Sequence, residues 1–381
     1  MIKFPIILEG PLYSQSGYGE RFRFLVQDIQ AFCEDVSVYP TKWGKTLNNA
    51  KFENVDIISE IPNEQKFIYI QCTVPNEFKP KSTYYNIGVT AGIETDTYPS
   101  NWWRPMNSMD MILVSSTHSK NILSTNNPND NIHVLPERVN VQTNDKTVFK
   151  LKNDFNFLCM GAWLPGTMGN DRKNIPFTVQ LFYAAFANHP NPPSLLLKTD
   201  QGTFSKIEAF RIKELMNNIR INMLSQDGIN TLPEVNILHG RLSYEQMSNL
   251  MLHNNIKAYI TLSHGEGFGR HTAEFLSTGK PIIASNWSGH KDFIKAKKHC
   301  NYLVSGELKT VDASVVNKYI VPHAKWYYPD PNDAIVAMQS IYEDYTNYLS
   351  GSGEVNIKKF NSLRGNKSIN KLKSFIKTAM K

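Results

Sequence analysis

Short runs of consecutive apolar residues alternate along this chain with longer stretches whose apolar positions fall three and four residues apart. The first run, 3–8, leads into a glycine-containing loop from Gly10 to Gly19. Over 20–32, Phe22, Leu25, Val26, Ile29 and Phe32 share one face at helical spacing, which predicts a helix. Further strands are predicted at 67–71, 84–89, 111–115 and 132–135. A second series begins near Phe155, with strands at 155–161, 194–198, 235–238, 258–262 and 281–285. Between these strands lie predicted helices at 176–188, 205–222, 243–253 and 272–278, and another follows at 334–349. Strand and helix alternating in this way predicts α/β lobes with parallel sheets and crossover helices.

The polar stretch 143–154 separates the two series and reads as a linker, and 350–353 (Ser-Gly-Ser-Gly) reads as a flexible break. Beyond it, Ile369, Leu372, Phe375, Ile376 and Met380 form an apolar stripe among lysines. The expected organisation is therefore an N-terminal lobe at 1–150 and a second lobe at 151–349. A basic C-terminal helix at 350–381 is expected to pack back on the first lobe. A length of 381 residues agrees with two lobes, since single cores stop growing at about 250–300 residues. Open α/β sheets bind ligands at the carboxyl ends of their strands, so two facing lobes are expected to enclose a central cleft.

Composition narrows the setting. No apolar run approaches the ~18 residues of a membrane-spanning helix. The start, MIKFPIILEGPLYS, has no small-residue cleavage pattern and reads as a first strand. Cys33, Cys72, Cys159 and Cys300 lie far apart without a C-x-x-C pair. They suggest neither a zinc site nor a disulfide framework, and a cytoplasmic location is expected. The net charge of +7 is concentrated at the end: residues 291–381 carry 15 Lys and Arg against 8 Asp and Glu. From Lys358 to Lys381 there are eight basic residues and no acidic one. Such a segment either meets phosphate, on a membrane surface or in DNA, or is the solvated face of a terminal helix.

The stretch with most chemistry is Ser263-His-Gly-Glu-Gly-Phe-Gly-Arg-His-Thr-Ala-Glu274, continuing through Gly279 to Ser285. An apolar strand ends in a glycine-rich loop, and a helix is predicted from about Thr272. Backbone amides at such a helix start favour an anion. Glu274, expected in the first turn, and Glu266, on the loop, are acceptors for hydroxyls. Together they suit a ligand with both phosphate and hydroxyl groups, although a purely structural turn would present the same glycines. A second patch, Gly166-Thr-Met-Gly-Asn-Asp-Arg172-Lys173, follows the first strand of the second series. Two fixed cations there can neutralise charge on a departing diphosphate.

The segment from about 256 to 294 closely resembles the signature of the retaining, group 1 glycosyltransferases: E-G-F-G, a second Glu eight positions on, then G-x-P-x-I-A-S and G-x-x-D. These are Glu266–Gly269, Glu274, Gly279–Ser285, and Gly289 with Asp292. The resemblance implies the GT-B fold, two Rossmann-like parallel-sheet lobes facing a cleft. It implies that Glu274 holds the ribose of a nucleotide diphosphate sugar, and that Glu266, Gly267, Phe268 and Gly269 contact its sugar. Arg270, His271 and Thr272 fall within the same donor-binding stretch. Arg172 and Lys173 occupy the position that the family uses on the diphosphate. Many relatives carry another Arg a few residues earlier, where this chain has Ala162, Trp163 and Met168.

In the first lobe, Gly17 and Gly19 match a loop that relatives use near the donor phosphates or the acceptor; a plain turn is the alternative. Val89-Thr-Ala-Gly-Ile-Glu94-Thr-Asp-Thr-Tyr-Pro99-Ser-Asn-Trp102 resembles a subgroup with F-E-T-D followed by P and W. Glu94 either approaches the reacting centre or is a buried hydrogen-bonding residue. Other relatives have a His at this point and this chain has none; His118, after the strand at 111–115, reads as structural.

The catalytic candidates are thus Glu266, Lys173, Arg172 and Glu94. No cofactor is expected beyond a nucleotide diphosphate sugar as co-substrate, a UDP-sugar by resemblance. No D-x-D metal motif stands at a strand end, Asp330 and Asp333 being separated by two residues in a Pro-rich loop. The acceptor stays open between a glycan or small molecule, as in surface polysaccharide synthesis, and DNA with hydroxymethylated bases. Peripheral membrane contact is compatible with the basic end. A non-catalytic nucleotide-sugar-binding protein or a GT-B epimerase are the alternatives of a different class.

Overall fold

The computed structural model describes residues 1–44, 55–63, 66–125, 127, 130–141, 147–164 and 169–380. Gly166, Thr167 and Met168 of the basic patch, and residues 143–146 of the expected linker, lie outside the described residues. The chain divides into two compact units. One comprises Met1–Arg138, Lys318–Val321 and Ser362–Lys381, the other Val139–Asn317 and Pro322–Asn361.

The first unit is built on a seven-stranded sheet of β1 (Ile6–Gly10), β2 (Val36–Pro40), β3 (Asp56–Ile57), β4 (Ile68–Cys72), β5 (Tyr85–Thr90), β6 (Met111–Val114) and β7 (Ile132–Val134). Its order is β3-β2-β1-β4-β5-β6-β7, and every pairing is parallel. β1 and β4 are buried along their whole length, which is why they read as unbroken apolar runs and not as alternating ones. Helices α1 (Gly17–Gln30), α2 (Trp103–Asn107) and α3 (Thr117–Ser124) complete the layers. Phe22, Val26 and Ile29 of α1 lie in the core with Leu8, Ile70 and Val89, as their i, i+4, i+7 spacing requires.

The second unit carries β8 (Asn156–Ala162), α4 (Ile175–Phe186), β9 (Ser194–Asp200), α5 (Lys206–Leu224), β10 (Val235–Leu238), α6 (Tyr244–Leu252), β11 (Ile256–Thr261), α7 (Arg270–Phe275), β12 (Ile282–Ser285) and β13 (Tyr302–Val304). The six strands form one parallel sheet in the order β10-β9-β8-β11-β12-β13. Phe157 of β8 and Phe182 and Phe186 of α4 pack ring against ring at its centre. Burial of each such side chain contributes roughly 1.5–3 kcal/mol. An antiparallel pair, β14 (Gly306–Thr310) and β15 (Lys325–Pro329), was not expected from the sequence. Nor were β2, β3 and β13.

Three expectations need correction. The first crossing between the units falls after Arg138, not at residue 150. The stretch before β8 is tied to the second unit, where the Asn156 and Asn255 side chains donate to the carbonyl of Asn153 at 2.7 and 3.2 Å. The helix expected at 334–349 is two helices, α8 (Pro331–Glu343) and α9 (Tyr345–Arg364), and 350–353 lies inside α9 instead of breaking the chain. Its small residues allow close packing: a methyl group at Gly351 would lie 1.8 Å from the His299 carbonyl oxygen, and Ser352 donates to the Gly279 carbonyl at 2.7 Å. The basic end is α10 (Lys367–Ala379), and residues from Ser362 onward belong to the first unit. Leu372, Ile376 and Ala379 enter that unit's core, while Lys367, Lys371 and Lys377 are exposed. No helix among the described residues is long and apolar enough to cross a membrane.

Candidate active site

In the second sheet the chain runs outward from β8 to β10 and then returns to the other side of β8 as β11. Strand order reverses between β8 and β11, and the crevice outside the carboxyl ends at such a reversal is where open α/β sheets hold ligands. The loops that leave β8 and β11 carry Arg172, Lys173 and Glu266.

The loop after β8 is shaped by Asp171, which sequence reasoning passed over. Its buried carboxylate accepts from the backbone N–H of Lys173 at 3.1 Å and of Ile175 at 3.2 Å, so it caps the start of α4 from within the loop. Asn174 adopts φ 55, the left-handed region that Asn tolerates, and its side chain donates to the Leu262 carbonyl at 3.1 Å. The two loops are thereby stitched together. The backbone N–H of His264 donates to the Arg172 carbonyl at 2.9 Å, and Arg172 Nη1 donates to the Gly265 carbonyl at 2.9 Å.

Those contacts bring two cations onto one carboxylate. Lys173 Nζ lies 2.6 Å from Glu266 Oε1, and Arg172 Nη1 3.6 Å from Glu266 Oε2. The Lys173 stem lies along Gly161 of β8. Burial alone would raise the Glu266 pKa, but the two cations outweigh it and hold it at about 2. Glu266 is therefore ionised at neutral pH, an acceptor and not an acid. Its backbone is clamped as well: its N–H donates to Ser288 Oγ and its carbonyl accepts from Gly289 N–H, both at 2.9 Å. Ser288 is held at φ 73 to do this, a conformation costly for a non-glycine residue. A methyl group at Gly289 would lie 2.3 Å from the Gly267 carbonyl oxygen, which explains the glycine of the G-x-x-D element.

Three histidines surround the cluster, each with its pKa lowered first by burial: His264 and His271 to about 4, and His290 in the same direction. His290 donates through Nε2 to the Ser285 carbonyl at 2.6 Å, and His264 through Nδ1 to the Tyr327 carbonyl at 2.7 Å. His264 also stacks on Trp326 at 5.2 Å, so β15 braces the loop of Glu266 from behind. Lys198, buried at the end of β9, adds to the repulsion that keeps His271 neutral. Neither it nor the histidine partners carry a spacing that singles them out in the sequence.

The helix after the loop differs from expectation. It starts at Arg270 instead of Thr272, after Gly269 at φ 90, and has six residues. So short a helix supplies little dipole, and the cations carry the electrostatics. Glu274 consequently lies past the first turn; it is buried, and Arg270 Nη1 approaches its Oε1 at 3.8 Å one turn back. Phe268 is buried against Phe293, centroids 5.2 Å apart, and Thr272 is buried beside Tyr259. The side chain of Phe268 is thus core, and only its backbone is available to a ligand. Gly267 places its carbonyl against Gly289.

Gly17, Gly19 and Glu94 belong to the first unit. Ser16 caps α1 there by accepting from Gly19 N–H at 3.1 Å, and a methyl group at Gly19 would lie 2.1 Å from the Ser14 carbonyl oxygen. Gly17 has nothing within 4 Å of such a methyl. Glu94 is half-buried in a bend after β5. No group of three or more potential metal ligands occurs among the described residues.

Residues 231–314 match the family model described as Glycosyl transferases group 1. The chain is similar in structure to a glycosyltransferase from Rickettsia africae ESF-5, with a TM-score of 0.64 at 15% identity, covering 100% of this chain and 99% of that one. It is similar to Anabaena Alr3699/HepE, solved with UDP and glucose, with a TM-score of 0.64 at 11% identity over 99% and 100% of the two chains. Sucrose-phosphate synthase from Thermosynechococcus elongatus gives 0.62 at 14% identity over 99% of each. At these identities the likeness is one of fold. No curated protein sequence matches.

Proposed function

We propose that this chain transfers a sugar, with retention and without a metal, from a UDP-sugar to a hydroxyl of a glycan; the match of residues 231–314 to the group 1 glycosyl transferase model and the GT-B fold support this reading. The observation that carries the reading is the ionised Glu266 held between Lys173 and Arg172 at the carboxyl ends of β8 and β11. HepE, with the same fold, was solved with UDP and with UDP-glucose, which supports uridine as the nucleotide.

Lys173 and Arg172 meet the diphosphate. Charge grows there as the bond from the sugar's anomeric carbon to phosphate oxygen breaks, and fixed cations that need no reorganisation lower the barrier most. Glu266, released from one of its two cations, accepts hydroxyls of the sugar, and Glu274 those of the ribose. The acceptor oxygen bonds to the anomeric carbon on the face that the phosphate leaves. Its proton passes to the departing phosphate oxygen, so no enzymic base is required. The neutral His264, His271 and His290 leave the positive charge to the two cations that face the ligand.

The test is UDP release from UDP-glucose, UDP-galactose and UDP-N-acetylglucosamine in EDTA, with the product anomer read by NMR. Release with an α-configured product supports the reading. Release only with added divalent metal, or an inverted product, overturns the corresponding part.

A further inference from the structure

The first unit contains a cavity of about 470 Å³, lined in part by Asp96, Thr97, Tyr98, Ser100, Trp103 and Thr125. It lies in the 94–103 stretch, of which the transfer reaction uses at most Glu94. We propose that this cavity is a glycan-binding subsite, separate from the place of transfer, that takes a neutral saccharide.

The location comes from the topology of this unit alone. α3 begins after the carboxyl end of β6 and runs back for eight residues, ~12 Å. Thr125 closes its far end, and Tyr98 is fixed there by donating its hydroxyl to the Thr125 carbonyl at 2.9 Å. Tyr98 and Thr125 therefore place one wall of the cavity at the end of α3 remote from the carboxyl end of β6, whereas substrates of open sheets sit at the carboxyl ends. A ligand here is held, not transformed.

The chemistry comes from the lining. Trp102 and Trp103 are neighbours with opposite environments: Trp102 is buried beside Tyr98, their rings 6.3 Å apart, while Trp103 is 46% exposed. The exposed Trp103 indole and the Tyr98 ring give the cavity apolar surface beside Asp96 and the hydroxyls of Thr97 and Ser100. A pyranose has that complement: C–H groups on its faces, hydroxyls around its rim. The ring stacks on the indole, and the hydroxyls donate to the carboxylate and exchange hydrogen bonds with the side-chain hydroxyls. The volume falls in the ~300–1,000 Å³ range of small-ligand sites. Among the described residues the lining includes a carboxylate and no cation, which does not suit a phosphate-bearing ligand, whether nucleic acid or phospholipid. The binding itself does not depend on the transferase reading; only the idea that the held glycan is part of the acceptor does.

The experiment is saturation-transfer NMR on the full chain with maltoheptaose, cellohexaose, chitopentaose and laminarihexaose, with UDP as an internal reference. At least one saccharide is expected to show transfer. Trp103→Ala should weaken it about tenfold, Asp96→Asn should weaken it, and Trp103→Phe should keep most of it. UDP signals should persist in all three variants, which separates this site from the nucleotide site and shows that the variants are folded. Absence of transfer to every saccharide overturns the proposal, as does equal transfer in wild type and Trp103→Ala. Self-association abolished by Trp103→Ala, with no saccharide signal, would assign the surface to a second copy and overturn it too.

Discussion

Each unit has a glycine-containing turn that leads from a strand into a helix, and the two dispose of their polar groups in opposite ways. In the first unit the turn is satisfied from within. Ser16 caps α1, and Tyr18 ties the turn to β5 through Thr90 at 2.8 Å. Arg23 spends its guanidinium on the Leu12 and Ser14 carbonyls, at 3.1 and 2.7 Å, and on Glu20. In the second unit Gly269 offers α7 no side-chain cap, and Lys173 and Arg172 converge on one carboxylate from a loop held by Asp171. A glycine-rich turn by itself therefore says little. What distinguishes the second is that the backbone brings two cations onto one carboxylate.

The comparison can be broken first at the cations. Lys173→Ala is expected to slow UDP release from the donor by ~10²–10³, by analogy with the loss of one stabilising donor. Arg23→Ala should instead show itself as a loss of about 1–3 kcal/mol in urea unfolding, because two buried carbonyls lose their partner. Near-normal turnover in Lys173→Ala would erase the distinction between the two turns.

Next in size is the clamp on Glu266. Gly289→Ala forces a methyl group into the Gly267 carbonyl, which lies 2.3 Å away. Overpacking of this kind costs about 1–3 kcal/mol and should also lower turnover, since the same backbone holds Glu266. Chemical denaturation and steady-state rates on one preparation check both.

Acid should act on the second turn in two steps. His264 and His271 have folded pKa values of about 4, below the ordinary 6.5, so the unfolded chain binds protons first and stability falls as pH drops from about 6.5 to about 4. Glu266, at about 2 against 4.5, adds a second loss between about 4.5 and 2. Urea midpoints measured against pH should follow this course, and His271→Gln should flatten the upper step. An unchanged upper step would remove His271 from the account. The smallest effect is expected at Gly17→Ala, where a methyl meets nothing within 4 Å: a change of ~0.5 kcal/mol or less in stability.

The fold was legible wherever strands are buried on both faces. β8, β9 and β12, buried along nearly their whole length, lie within two residues of their expected bounds, because continuous apolar runs leave little choice; β10, an edge strand that is only partly buried, matches its bounds as well. The hairpin was not legible: β14 is exposed throughout and has no apolar alternation to detect. Ser-Gly-Ser-Gly at 350–353 misled for the opposite reason, as glycine in a helix can serve close packing as well as a break, and only the approach of His299 distinguishes the two. Within the site, the motif spacing picked out Arg172, Lys173 and Glu266, which the structure brings together. Ser288 and His264 escaped notice because each acts through backbone contacts made across the loops, and no local pattern encodes such a crossing, whereas Asp171 makes only local contacts, to the N–H groups two and four residues on, beside two cations that drew the attention. Glu274 was expected in a first turn that in fact begins two residues earlier.

The central claim is that the carboxyl ends of β8 and β11 hold a nucleoside diphosphate through Lys173 and Arg172. Titration calorimetry with UDP tests it most directly. The wild-type chain should bind UDP, with affinity falling as salt rises, and Lys173→Ala should bind at least about tenfold more weakly. No heat with UDP in the wild type, or an unchanged affinity in Lys173→Ala, would contradict it.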